Sequence, residues 1–188
     1  MAITRLGGAN AITGTIPQGN IANASLGAVT ALPAAIATGK VLQVVETRLT
    51  TVLSTTSSSW TATTGLNASI TPSSTSNKVL ILLNPTLSSA NHGHMGLSRD
   101  GGSNFIGSGA SSGSRSGINF YAGEANSNTA RPQSCTILDS PSSTSAVTYQ
   151  AYWKVSSDTT YLNRTVNDAD AAYGSRGVSS ITLMEIAG

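Results

Sequence analysis

Residues 147–155 read VTYQAYWKV. Val147, Tyr149, Ala151, Trp153 and Val155 share one phase of a two-residue period, and Thr148, Gln150, Tyr152 and Lys154 share the other. A strand sends successive side chains to opposite faces, so this segment has one face for a core and one for a wetter surface. Related segments recur as KVLQVVETRL, LNASI, INFYAG, QSCTILD, TTYLNRTV and VSSITLMEI. They are rich in β-branched and aromatic residues and bounded by Gly, Pro, Ser and Asn, the punctuation of short strands. NKVLILLNPTLSS is apolar on both phases, which predicts a central strand whose regular pairing ends, or bulges, at Pro85. HGHMGLSRDGGSNFIG predicts two strand halves around a hairpin turn at Asp100-Gly101-Gly102, and SGASSGSRSG predicts a loop. A helical period is sustained nowhere. Eight to ten short strands, spaced by roughly ten residues, predict an all-β antiparallel sandwich of jelly-roll type over residues 41–188. An immunoglobulin-like sandwich is the alternative, without a disulfide, because Cys135 is the single cysteine.

Residues 1–40 have a different texture. No charge occurs between Arg5 and Lys40, and six glycines with Pro17 and Pro33 interrupt any period. Disordered segments are typically charged and poor in apolar residues. This one keeps Ile12, Ile16, Ile21, Leu26, Val29, Leu32 and Ile36. The expectation is an extended attachment and oligomerisation arm that orders against sister chains or a larger particle, with one helical turn near Leu32–Ala37.

Charged residues make up 10 % of the chain, against roughly 25 % in an ordinary soluble domain. Such a surface favours a chain buried in an assembly. The net charge is +2 and the ten basic residues are scattered singly, which argues against nucleic acid. The N-terminus MAITRLGGANAITG has no apolar signal-peptide core, and no apolar run approaches the roughly 18 residues of a membrane span.

No catalytic signature emerges. The eight acids are Glu46, Asp100, Glu124, Asp139, Asp158, Asp168, Asp170 and Glu185, and several sit beside turn residues, where Asp binds its own backbone. Asp168-Ala169-Asp170 reads as a solvated turn, since it lacks the further oxygens of a calcium loop. No G-x-S-x-G elbow is present, and GSGASSGSRSG lacks the lysine of a phosphate loop. Cys135 reads as a small hydrophobe within a strand. The pair His92-Gly93-His94 supplies the candidate metal ligands: on a strand both imidazoles share a face, and three copies on a three-fold axis would offer six. Isolated exposed histidines are the plainer alternative. Trp60, Tyr121, Tyr152, Trp153, Tyr161 and Tyr173 offer faces on which a sugar could stack, although single aromatics in a sandwich mostly serve its core. No catalytic residue and no cofactor is assigned.

The pentapeptide PSSTS occurs twice, at 72–76 and 141–145, each time ahead of a strand-like segment. Its Pro cannot donate to a sheet and its hydroxyls bind turn backbone, so it is expected to connect neighbouring strands. As part of longer phrases it also carries a resemblance. MAITRLGGANAITGTIP, LPAAIATGKVLQVV, ASITPSSTSNKVLILL, LDSPSSTSAVTYQAYWKV and ITLMEIAG together resemble small virion proteins of tailed bacteriophages of cyanobacteria and other aquatic bacteria. The resemblance spans most of the chain but not the loops from His92 to Arg131. It implies a homotrimeric, non-enzymatic tail or baseplate fibre on the exterior of the particle. Residues 1–40 would dock to other virion proteins, and a β-sandwich head would face the host surface and its glycans. A trimeric capsid cement or decoration protein is the alternative within that class. A carbohydrate-binding module or glycan-degrading enzyme is the alternative outside it.

Overall fold

The computed structural model describes residues 41–123 and 128–188. The arm expected over residues 1–40, with its helical turn, lies outside the described residues, as does Glu124. Among the described residues every regular element is a strand: β1 (Val41–Leu49), β2 (Leu53–Thr55), β3 (Thr61–Ile70), β4 (Lys78–Asn84), β5 (Thr86–Ser89), β6 (Gly93–Ser98), β7 (Phe120–Ala122), β8 (Arg131–Pro132), β9 (Cys135–Asp139), β10 (Val147–Val155), β11 (Thr160–Leu162) and β12 (Ser179–Ile186).

They form three antiparallel sheets, ordered β1-β12-β4-β9, β3-β10-β6-β7 and β2-β11-β5-β8. The third sheet consists of two- to four-residue pieces. Each piece lies in a connection between strands of the other two sheets. When the eight remaining strands are counted along the chain, the sheets run first-eighth-third-sixth and second-seventh-fourth-fifth. Two four-stranded sheets wound in that order are a jelly roll. The expected fold class therefore holds.

The core is the sum of the two-residue periods. Val79, Ile81 and Leu83 of β4, Ile181 and Leu183 of β12 and Ile137 of β9 face Leu66, Ala68 and Ile70 of β3, Met95 and Leu97 of β6, and Tyr149, Ala151 and Trp153 of β10. The alternation read in residues 147–155 is reproduced residue for residue. Burial of the larger of these side chains contributes roughly 1.5–3 kcal/mol each and is the main force favouring the fold. β4 is an inner strand, as its apolarity on both phases predicts. Pro85 ends its pairing, and the chain leaves as β5 for the third sheet.

Three differences from the sequence reading have physical causes. The second strand half after Asp100-Gly101-Gly102 does not form. Ile106 N–H donates to Leu97 O (2.9 Å), and further along β6 the neighbour is β7. Leu53–Thr55 and Arg131–Pro132 pair as strands, although a Ser/Thr tract and a Pro conceal them; their partners β11 and β5 impose the conformation. Finally, the two PSSTS copies join strands of opposite sheets: β3 to β4, and β9 to β10.

Both Pro72 and Pro141 are buried. In each copy the third-position Ser accepts from the backbone N–H of the fifth: Ser76 N to Ser74 Oγ (3.3 Å) and Ser145 N to Ser143 Oγ (3.0 Å). The repeat is one serine-stabilised turn used at two crossings between sheets.

Candidate functional site

β6 is flanked by β10 and β7, and register places Lys154, His94 and Tyr121 side by side across the three strands. These residues occupy the outer phase, since Met95, Trp153 and Phe120 next to them are in the core. His92, just before β6, joins the row: its Nδ1 and the Tyr121 hydroxyl are 2.5 Å apart. The His92 and His94 rings lie 6.0 and 5.8 Å from the Tyr121 ring. The sequence pair His92–His94 thus shares a face, with Tyr121 packed against both.

The two imidazoles have different surroundings. His92 is exposed, whereas His94 is half-buried and its Nδ1 is enclosed without a hydrogen-bond partner. Burial, then the charge of Lys154 and the neighbouring His92 imidazole, lower the His94 pKa below the ordinary histidine value. Lys154 Nζ donates to Ser116 Oγ (2.9 Å) and stands 5.0 Å over the Trp60 ring. Trp60 packs on Phe105 at 4.3 Å, and Phe105 meets Tyr152 edge-on at 6.2 Å.

The turn after β6 delivers Phe105 to this cluster. Asp100 accepts from the Ser98 hydroxyl, the Asn104 N–H and the Asn104 amide, bonds that hold its carboxyl well below the usual range. Gly102 adopts φ +85°, and a Cβ there would stand 2.9 Å from the Tyr152 ring. Gly96 leaves the room that Phe105 fills: a Cβ would lie 2.5 Å from its ring. The face is therefore an aromatic floor with a rim of His92, Tyr121 and Lys154. Tyr121 is 45 % exposed and available to a partner.

Among the described residues this face sets stacked aromatic rings beside a lysine and two imidazoles. With His92 Nδ1 tied to Tyr121 and His94 Nδ1 enclosed, a ligand on either ring would have to be met by its Nε2. Among the described residues no three His, Cys, Asp or Glu side chains converge to hold a metal ion. A metal at His92 and His94 would need donors from another copy.

The other sequence candidates separate. Trp153 is core, 4 % exposed, and Tyr161 lies under the Arg164 guanidinium at 4.0 Å. Tyr173 is 63 % exposed on the loop between β11 and β12. That loop encloses a cavity of about 230 Å³ lined by Asp168, Asp170 and Arg176. Asp168 pairs with both Arg164 and Arg176, so the D-x-D turn spends its first carboxylate on arginine. Asp139 serves Arg99 (2.9 Å) and the buried Tyr149 hydroxyl (2.7 Å). Cys135 packs against the core from β9, and burial raises its thiol pKa.

Sequence reasoning missed Glu185, which is 1 % exposed. It accepts from Gln43 Nε2 (2.6 Å), Ser73 N (2.6 Å), Ser73 Oγ (2.7 Å) and Asn77 Nδ2 (2.5 Å). Burial pushes its pKa up, but the donors from Asn77, Gln43 and Ser73 outweigh that and hold it at about 2. The signal was available: Ile181, Leu183 and Glu185 share one phase of β12. No family model matches the chain, and no curated protein matches it.

Proposed function

We propose that this chain is a non-enzymatic structural component of a tailed-phage virion: a short fibre of the tail or baseplate, attached through residues 1–40, with the jelly roll exposed outside the particle. One observation carries the reading. The phrases on which the resemblance to phage virion proteins rests build the scaffold, and they touch one another. ASITPSSTSNKVLILL and ITLMEIAG are joined through Glu185 and through Gly188 N–H donating to Asn77 Oδ1 (3.1 Å). The segment from His92 to Arg131, outside the resemblance, supplies His92, His94, Phe105, Ser116 and Tyr121 to the aromatic face. A scaffold that carries the resemblance, joined to a surface that lies outside it, is the division of labour expected of a protein that meets a host.

Deletion of residues 2–39 tests the attachment role. The expected result is a folded sandwich absent from purified particles; normal incorporation overturns it. Copy number separates the two virion readings, with tens or fewer per particle for a tail fibre and hundreds for a capsid decoration protein. The host-contact role is tested by Tyr121→Ala, which is expected to weaken adsorption of particles without lowering incorporation.

A further inference from the structure

The outer face of the β1-β12-β4-β9 sheet carries an apolar row across all four strands. Register aligns Val44 with Met184, Met184 with Leu80, and Leu80 with Leu138. Their neighbours Val45, Leu183, Ile81 and Ile137 point inward, so this row points out. Val44 is 56 % exposed and Leu138 53 %; Leu42, at the bulge of β1, is 49 % exposed. The adjoining row is Glu46, Thr182, Leu82 and Thr136, and Ile186 with Lys78 lies on the other side. Isolated exposed apolar residues need no explanation, but a contiguous stripe on a monomer marks an interaction surface.

We propose that this face pairs with the same face of a second copy, about a two-fold axis parallel to the strands and centred between β12 and β4. The register itself names the occupant. Such an axis turns each row onto itself in reverse. Val44 then meets Leu138 of the second copy, Met184 meets Leu80, Glu46 meets Thr136, and the Lys78 stem lies along Ile186. The apolar row is covered by itself, and no charge meets its like. An axis perpendicular to the strands along the same row would instead set Glu46 against Leu42, which offers its carboxylate no hydrogen bond, whereas Thr136 carries a hydroxyl. Sheets packed face to face stay within about 30° of alignment, so the row matching survives their twist.

Four strands about 4.8 Å apart and up to about 27 Å long offer roughly 500 Å² per copy, so a pair buries about 1,000 Å², at the lower bound of specific interfaces. An interface of this size is expected to give a weak, concentration-dependent dimer. A patch complementary to itself makes an isologous contact; the three copies expected from sequence would require two different matching patches. The proposal does not rest on the virion reading, and its two-fold pair differs from the homotrimer that the resemblance implies.

Sedimentation velocity of the full chain from about 1 to 200 µM should show a monomer–dimer equilibrium, with V44E and L138K each shifting it at least tenfold toward monomer. The double variant V44E/L138K should restore the dimer, because each new carboxylate then faces a new ammonium across the axis. Within one chain those positions lie on opposite edges of the sheet, about 14 Å apart, and cannot pair. Thermal melts establish that the variants are folded. Should they unfold, mixed V44C and L138C chains in a C135S background replace them, and a disulfide between unlike chains is the expected product. A monomer throughout the range, an oligomer indifferent to V44E, no rescue by the double variant or no disulfide between unlike chains overturns the proposal and assigns the face to another occupant.

Discussion

The two copies of PSSTS make the same turn and are held down differently. In the first, Ser73 donates N–H and Oγ to Glu185, and Asn77 adds its amide to the same carboxylate. In the second, among the described residues no carboxylate accepts from the corresponding Ser142, which adopts φ +51°, a left-handed conformation costly for a residue with a Cβ. Its neighbour Asp139 looks the other way, to Arg99 and Tyr149. Five identical residues thus fix one internal hydrogen bond, while the strand beneath decides whether the turn is anchored or strained.

Removal of the anchor should have the largest effect. Glu185→Ala leaves the buried Asn77 amide and the Ser73 donors without their acceptor, and a loss of about 3 kcal/mol is expected in urea unfolding. The anchor is also sensitive to acid. The Glu185 pKa is about 2 in the folded chain against an ordinary 4.5, so its contribution is complete above about 4.5 and disappears as pH falls toward 2. Glu185→Gln should flatten that part of the stability–pH curve. Asn77→Ala removes one donor to Glu185 and the acceptor for Gly188, and should cost about 1–2 kcal/mol.

Smaller changes sharpen the contrast. Ser142→Gly should stabilise by up to about 1 kcal/mol, because Gly adopts positive φ freely, whereas Ser73→Gly should destabilise. Ser74→Ala and Ser143→Ala remove the shared bond and should cost similar amounts, about 0.5–1 kcal/mol each. Unequal losses there would show that the two turns are not energetic equivalents.

Much of the fold was legible because alternation is a local property. Residues 147–155 and 179–186 declare both their strand state and their buried phase, and NKVLILL declares its inner position. The hidden pieces, β2 and β8, have no such pattern and exist through their partners. The aromatic face was half legible. His92 and His94 announced a shared side by their spacing. Tyr121, Lys154, Trp60 and Phe105 come from distant segments, and only sheet order brings them there.

The sequence by itself determined strand identity, the two phases of each strand, the turn at each PSSTS and the scarcity of charge, because these depend on side-chain period and local hydrogen bonding. Tertiary structure decided which sheet each strand joins, that PSSTS crosses between sheets, that Glu185 becomes an anchor with a depressed pKa, and that Val44, Met184, Leu80 and Leu138 form one row. Those properties arise from long-range pairing, whose register couples residues as far apart as Val44 and Met184 and leaves no mark within any local window.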